Sequence, residues 1–260
     1  MVASVAGRVA PGEAGGRAAI GPMGGRAAIG PCASGYHRAV RFALRILGWL
    51  VAVLTLVLAL ATIGGRLGAL VGLAAAVAAT LWQWLWLPRS AHAAFVAGRF
   101  ALAARRYRVL GWVAGTAVRE RAALLSRAGC ATAIGEYAAA EALLATLDAT
   151  SLDASERAVW LNNRACAAIE RDPQAALALI DEASALRPDV PALQHTRGVA
   201  LLAVGRVDDA IAVLDGMRAA GELPKALEAQ RCADLSRAWT AKGEAAYAED
   251  YRQRAAAHGR

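Results

Sequence analysis

Four cysteines and four histidines are the residues of this 260-residue chain best suited to hold a metal or attack an electrophile. Cys32, Cys130, Cys166 and Cys232 form no C-x-x-C, and none lies at metal-ligand spacing from His37, His92, His195 or His258. Cys130 and Cys166 each stand five residues before a turn position, where the next repeat has Ala200. A small buried residue belongs there, so these thiols read as reduced packing groups. The sequence contains no G-x-x-x-x-G-K-[ST], no H-E-x-x-H and no G-x-S-x-G. Acidic pairs such as Asp208-Asp209 and Glu249-Asp250 read as solvated helical faces. The expectation is a chain with no catalytic residue, no cofactor and no metal: not an enzyme.

Charge is the next informative feature. Residues 1–119 hold 13 arginines, no lysine and one acid, Glu13, whereas residues 120–260 hold 16 Lys and Arg against 20 Asp and Glu. A basic half of this kind seeks nucleic acid or a membrane surface. The basic half also carries the long apolar runs, which favours the lipid bilayer and excludes nucleic acid as the partner. Ile46–Gly65 and Leu67–Pro88 are 20 and 22 residues without a charge, separated only by Arg66. At about 1.5 Å per residue each would cross a ~30 Å hydrocarbon core as a helix. Arg38, Arg41 and Arg45 precede the first run; Arg89, Arg99, Arg105, Arg106 and Arg108 follow the second. Positive residues favour the cytoplasmic side, so both termini are expected there, in a bacterial inner membrane. Trp49, Trp82, Trp84 and Trp86 would then mark that interface. Arg99, Arg105, Arg106 and Arg108 are the candidate headgroup contacts. Gly68, Gly72, Ala76 and Thr80 share one face of the second run and suit close helix packing, within a hairpin or in a homo-oligomer.

The elements that follow must be helical pairs. A turn residue with alanine five places later recurs at Gly98/Ala103, Gly135/Ala140, Arg171/Ala176, Gly205/Ala210 and Gly243/Ala248. Successive turn positions are 37, 36, 34 and 38 residues apart, a period that predicts stacked helix pairs. The glycine supplies positive φ between antiparallel helices, and the alanine lets their backbones approach. Asp153 with Glu156 predicts a capping box, and Asp172-Pro173 predicts a cap with proline at the first helical position. The expected domains are a structureless Gly/Ala/Arg-rich tail over 1–37, in which GGRAAIGP occurs twice, a two-helix hairpin over 38–88 and a repeat domain over 89–260.

These residues resemble the tetratricopeptide repeat (TPR) family. Gly198, Leu201, Gly205, Ala210, Ile211 and Leu214 occupy the signature places of the unit Pro191–Glu222. Trp160, Ala176, Leu177, Ile180, Ala183, Leu186 and Pro188 do so in the preceding unit, which departs from the family at Asn163-Arg164. The resemblance implies an all-α chain, a transmembrane helical hairpin followed by a TPR-like α-solenoid, that binds protein partners as a membrane-anchored scaffold. Two N-terminal spans before TPR units also resemble the HemY-like proteins, which implies an alternative role as accessory subunit of a haem-biosynthetic assembly. First helices line the inner side of such a solenoid, so Asn162, Asn163, His195 and Arg237 are the candidate groove residues.

Overall fold

A computed structural model of the protein describes residues 31–259, and among these all regular structure is helical. The duplicated GGRAAIGP segment lies outside them apart from its last residue. The described chain divides between a hairpin unit, comprising the apolar helices and the segment Val113–Thr116, and a repeat unit, Leu87–Trp112 with Ala117 onward.

In the hairpin unit, α1 (Pro31–Leu81) is helical except at Gly65, where φ 57° and ψ −135° break it. It starts at Pro31, inside the segment expected to be structureless. Proline is favoured in a first helical turn, and the residues after it have no helix breaker before Gly35. At Gly65 the chain folds back. A Cβ on Gly72 would stand 3.0 Å from Val57 Cα, and one on Gly68 would overlap the Leu60 carbonyl oxygen. Gly68 and Gly72 of the small-residue stripe are therefore packed against the chain's own first arm. Leu50, Leu54, Leu58, Leu67, Leu70, Leu73 and Val77 are all more than half exposed, and an 18-residue window of this segment has mean hydropathy 2.3 with nothing buried. The hydroxyls of Thr55, Thr62 and Thr80 donate to Val51, Ala59 and Ala76 carbonyls within the helix, so none of these three protons is left to be satisfied by water. Arg66 is exposed beside the break. The second arm ends in a five-residue π-helical turn, Trp82–Trp86, where Trp82 stacks on Trp86 at 5.7 Å. Gln83 Nε2–H donates to the Val113 carbonyl at 2.9 Å, which fixes the loop Val113–Thr116 to this unit. Nothing local in the chain marks that tie. The two units divide at Trp86/Leu87, two residues before the second apolar run ends at Pro88.

The repeat unit consists of five helix pairs: α2 (Leu87–Val96) with α3 (Phe100–Trp112), α4 (Ala117–Ala133) with α5 (Tyr137–Leu144), α6 (Ala154–Ala168) with α7 (Pro173–Leu186), α8 (Pro191–Ala203) with α9 (Val207–Gly216), and α10 (Lys225–Lys242) with α11 (Ala245–His258). Gly98, Gly135, Gly205 and Gly243 all have φ between 70° and 85°. Each closes the same Schellman motif: the glycine N–H donates three residues back and the next N–H donates five back, as in Gly205 to Leu202 and Arg206 to Leu201. Arg171 differs. There Asp172 N–H bonds Ala168 O, and the Asp172 side chain then caps Ala175 N–H at 3.0 Å. The predicted Asp153/Glu156 capping box is present with both of its bonds. The five alanines are all buried, four of them completely. Leu144, Ile180 and Leu214, nine residues after the turn, are buried too, while Tyr107 is half-buried.

Consecutive first helices touch, α4 to α6, α6 to α8 and α8 to α10, and each second helix packs on the next first helix. The stack is therefore tighter along the first helices, which makes that its inner side. Ion pairs staple the layers: Arg121 Nε lies 3.0 and 2.9 Å from the two oxygens of Glu156, joining α4 to α6.

Candidate functional site: the inner cleft

A cleft of about 120 Å³ opens among the first helices of the leading pairs. His92 and Phe95 of α2, Tyr107 of α3, Leu125, Ser126 and Gly129 of α4, and Val159 and Asn163 of α6 line it. Phe95 is held edge-on to Phe100 at 5.3 Å, so the aromatic wall is fixed by the Gly98 turn. Asn163 Nδ2–H donates to the Leu125 carbonyl at 2.9 Å, bridging α6 to α4 beneath the cleft. Burial, with a smaller contribution from Cys130, raises the Tyr107 phenol above its ordinary value, while a bond with Ser126 partly offsets this. Burial pushes the Cys130 thiol up to about 11, so it remains a protonated packing group. The lining sets hydrogen-bonding groups between apolar walls and holds no carboxylate, lysine or arginine. The volume suits one side chain of a partner and is below the roughly 300–1,000 Å³ of small-molecule sites.

Of the residues expected in the groove, three lie inside. Asn162, Asn163 and His195 are at most 2 % exposed. Asn163 and His195 reach across to neighbouring first helices, Asn163 to Leu125 of α4 and His195 to Asp234 of α10. His195 Nε2 stands 2.8 Å from Asp234 Oδ2, linking α8 to α10, both groups almost fully buried. Burial alone would raise the Asp234 carboxyl. Its bond to His195, and after it Arg237, hold it below the ordinary value instead. Arg237 is exposed and pairs with Asp234. It sits six residues before its turn glycine, the register that His92 and Gly129 hold in the cleft. Of the four expected residues, Asn163 lines the cleft, whereas Asn162, His195 and Arg237 do not; alignment on the turn glycines would have added His92 and Gly129.

Among the arginines expected at a membrane surface, Arg99, Arg105 and Arg108 are exposed. Arg106 is turned inward: its Nη1 donates to the Ser90 carbonyl at 2.7 Å and fastens α3 to α2. The three cysteines whose side chains are described form no disulfide and are buried, as expected of packing groups.

Residues 167–230 match the tetratricopeptide repeat family. Among solved structures, the chain is similar to that of MamA, at 20 % identity and TM-score 0.42 over 65 % of this chain and 94 % of that one. A Podospora anserina protein described as a kinesin light chain with nearly identical TPR-like repeats gives 20 % identity and TM-score 0.43 over 68 % and 93 %. No curated protein matches the chain. The matched stretch runs from the end of α6 into α10, and the same pairwise packing, turn geometry and buried alanine continue on both sides of it.

Proposed function

We propose that this protein is a scaffold held at a bacterial inner membrane by its apolar hairpin, with the helix pairs on the cytoplasmic side grasping a protein partner along their inner face. The observation that carries the reading is the stack itself. Five pairs share one packing register and leave an inner cleft whose small volume and hydrogen-bonding groups suit a polypeptide rather than a small substrate. Such repeats supply rigid extended surfaces, and their chemistry is recognition. The anchor reading is supported by exposed leucines on both arms, by hydroxyl protons satisfied within the helix, and by arginines flanking the apolar runs.

Two measurements test this. Ser126→Trp fills the cleft at a partly buried position. It should abolish capture of the partner from detergent extracts while the protein still unfolds cooperatively; undiminished capture would refute the cleft as the binding site. Carbonate washing should leave the full chain in the membrane pellet. Reporter fusions should show Arg66 outside the cytoplasm and the C-terminus within it; release by carbonate, or a periplasmic C-terminus, would refute the anchor.

A further inference from the structure

α3 is amphipathic in an unusual way for a second helix. Its inward stripe is Phe100, Ala103, Tyr107 and Leu110, packed against α2 and α4. Its outward stripe is Ala101, Arg105, Arg108, Val109 and Trp112, spaced by four, three, one and three residues and exposed throughout. Trp112 is 70 % exposed, the largest value for a big apolar side chain among the described residues of the repeat unit. Val118, shortly after it in sequence, is 57 % exposed. The later second helices look different. Glu141, Asp181, Glu182 and Asp208 on α5, α7 and α9 are all engaged by arginine or lysine, as a water-facing surface would be. α3 has no acid, and none occurs in the sequence between Glu13 and Glu120. Arg108 lies close enough to Arg127 of α4 to add, after burial, to the lowering of its proton affinity.

We propose that this outward face of α3 is a second, surface-lying membrane contact, seating Trp112 and Val109 in the headgroup layer of an anionic bilayer with Arg105 and Arg108 on lipid phosphates. The chemistry fits the occupant at each position. Tryptophan is the residue that prefers the interfacial layer, and arginine extends from an apolar stripe to phosphate. A basic, aromatic face without carboxylates matches an anionic lipid surface rather than water. Arg106 takes no part, because it is committed to Ser90. The inference rests on the anchor reading above.

The test uses the full chain in a Cys32→Ser background, since the three other cysteines are buried. A polarity-sensitive fluorophore is placed at Trp112→Cys or, as reference, at Tyr247→Cys on α11, where Tyr247 is 55 % exposed. The protein is reconstituted in vesicles containing phosphatidylglycerol and a spin-labelled lipid carrying its quencher near the headgroup. The label at position 112 should be blue-shifted and quenched, the label at 247 neither. Arg105→Gln with Arg108→Gln, or high salt, should weaken quenching at 112 while the protein remains carbonate-resistant. Equal, water-like emission at both positions in carbonate-resistant protein overturns this inference and leaves the anchor intact. Release of the protein by carbonate overturns the anchor itself. Quenching at 112 that is the same in phosphatidylcholine alone overturns the role of the arginines. A label at 112 that is shielded in cell membranes but wet in pure vesicles assigns the face to a protein and overturns the proposal.

Discussion

Gly198 faces Leu214 across the α8–α9 contact, and a methyl group there has no free space. Its Cβ would lie 2.6 Å from two Leu214 carbons, and Leu214 is completely buried. Gly198→Ala therefore sets two effects against each other. Helix propensity would gain about 1 kcal/mol, while overpacking a closed core costs roughly 1–3 kcal/mol. Packing should win, and the variant should be about 1 kcal/mol less stable in denaturant unfolding; a more stable variant would show that Leu214 can move aside. The buried His195–Asp234 contact gives a second prediction at this scale. The Asp234 carboxyl is held below its ordinary value, so its contribution to stability is present above the ordinary carboxylate range and is lost as pH falls through the depressed folded value. Glu228, lowered chiefly by its bond to Arg231, acts in the same direction. Asp234→Asn disturbs a buried polar contact and should cost about 1–3 kcal/mol near neutral pH, and it should flatten the acid limb of the stability curve. An unchanged acid limb would mean that other carboxylates govern it.

At the scale of elements, the Gly205 turn and Ala210 separate backbone strain from packing. Nothing lies within 4 Å of a Cβ built on Gly205, whose φ is 79°, so Gly205→Ala costs only the left-handed conformation, about 1–2 kcal/mol. Ala210 is fully buried between α8 and α9, and Ala210→Leu should cost roughly 1–3 kcal/mol through overpacking. An unperturbed unfolding midpoint for Ala210→Leu would remove this alanine from the helix contact. These positions were legible because a turn glycine and an alanine five residues on are both local and repeated; even the degenerate outer units at Gly98 and Gly243 fold as pairs. The Arg171 turn was legible in place but not in kind, since an aspartate cap with proline can end one helix and start another without a left-handed residue. The cleft was not legible. Which face of a first helix lies open depends on the rotation of each pair against the next, and one residue of register separates the buried Asn163 from the exposed Arg164. The tie from Gln83 to Val113 escaped for a related reason, because nothing local joins positions so far apart in sequence.

At the scale of the molecule, charge follows the order of the pairs. Residues 87–147 hold eight arginines and three acids, whereas residues 148–259 hold 13 Lys and Arg and 17 acids. The basic pairs come directly after the apolar hairpin in sequence, and the acidic pairs come last. That order is what the proposed anchor and lipid contact require of the charge, positive where anionic lipid would be met and negative further along the chain. The central claim is that a partner is held along the first helices. The most direct test is photo-crosslinking in intact cells, with a photoreactive residue at Ser126 or Arg237 on first helices, or at Ala142 or Ala178, exposed on second helices. Discrete protein adducts at Ser126 and Arg237, and none at Ala142 and Ala178, are the predicted result. Adducts confined to Ala142 and Ala178, or equal at all four positions, would contradict it.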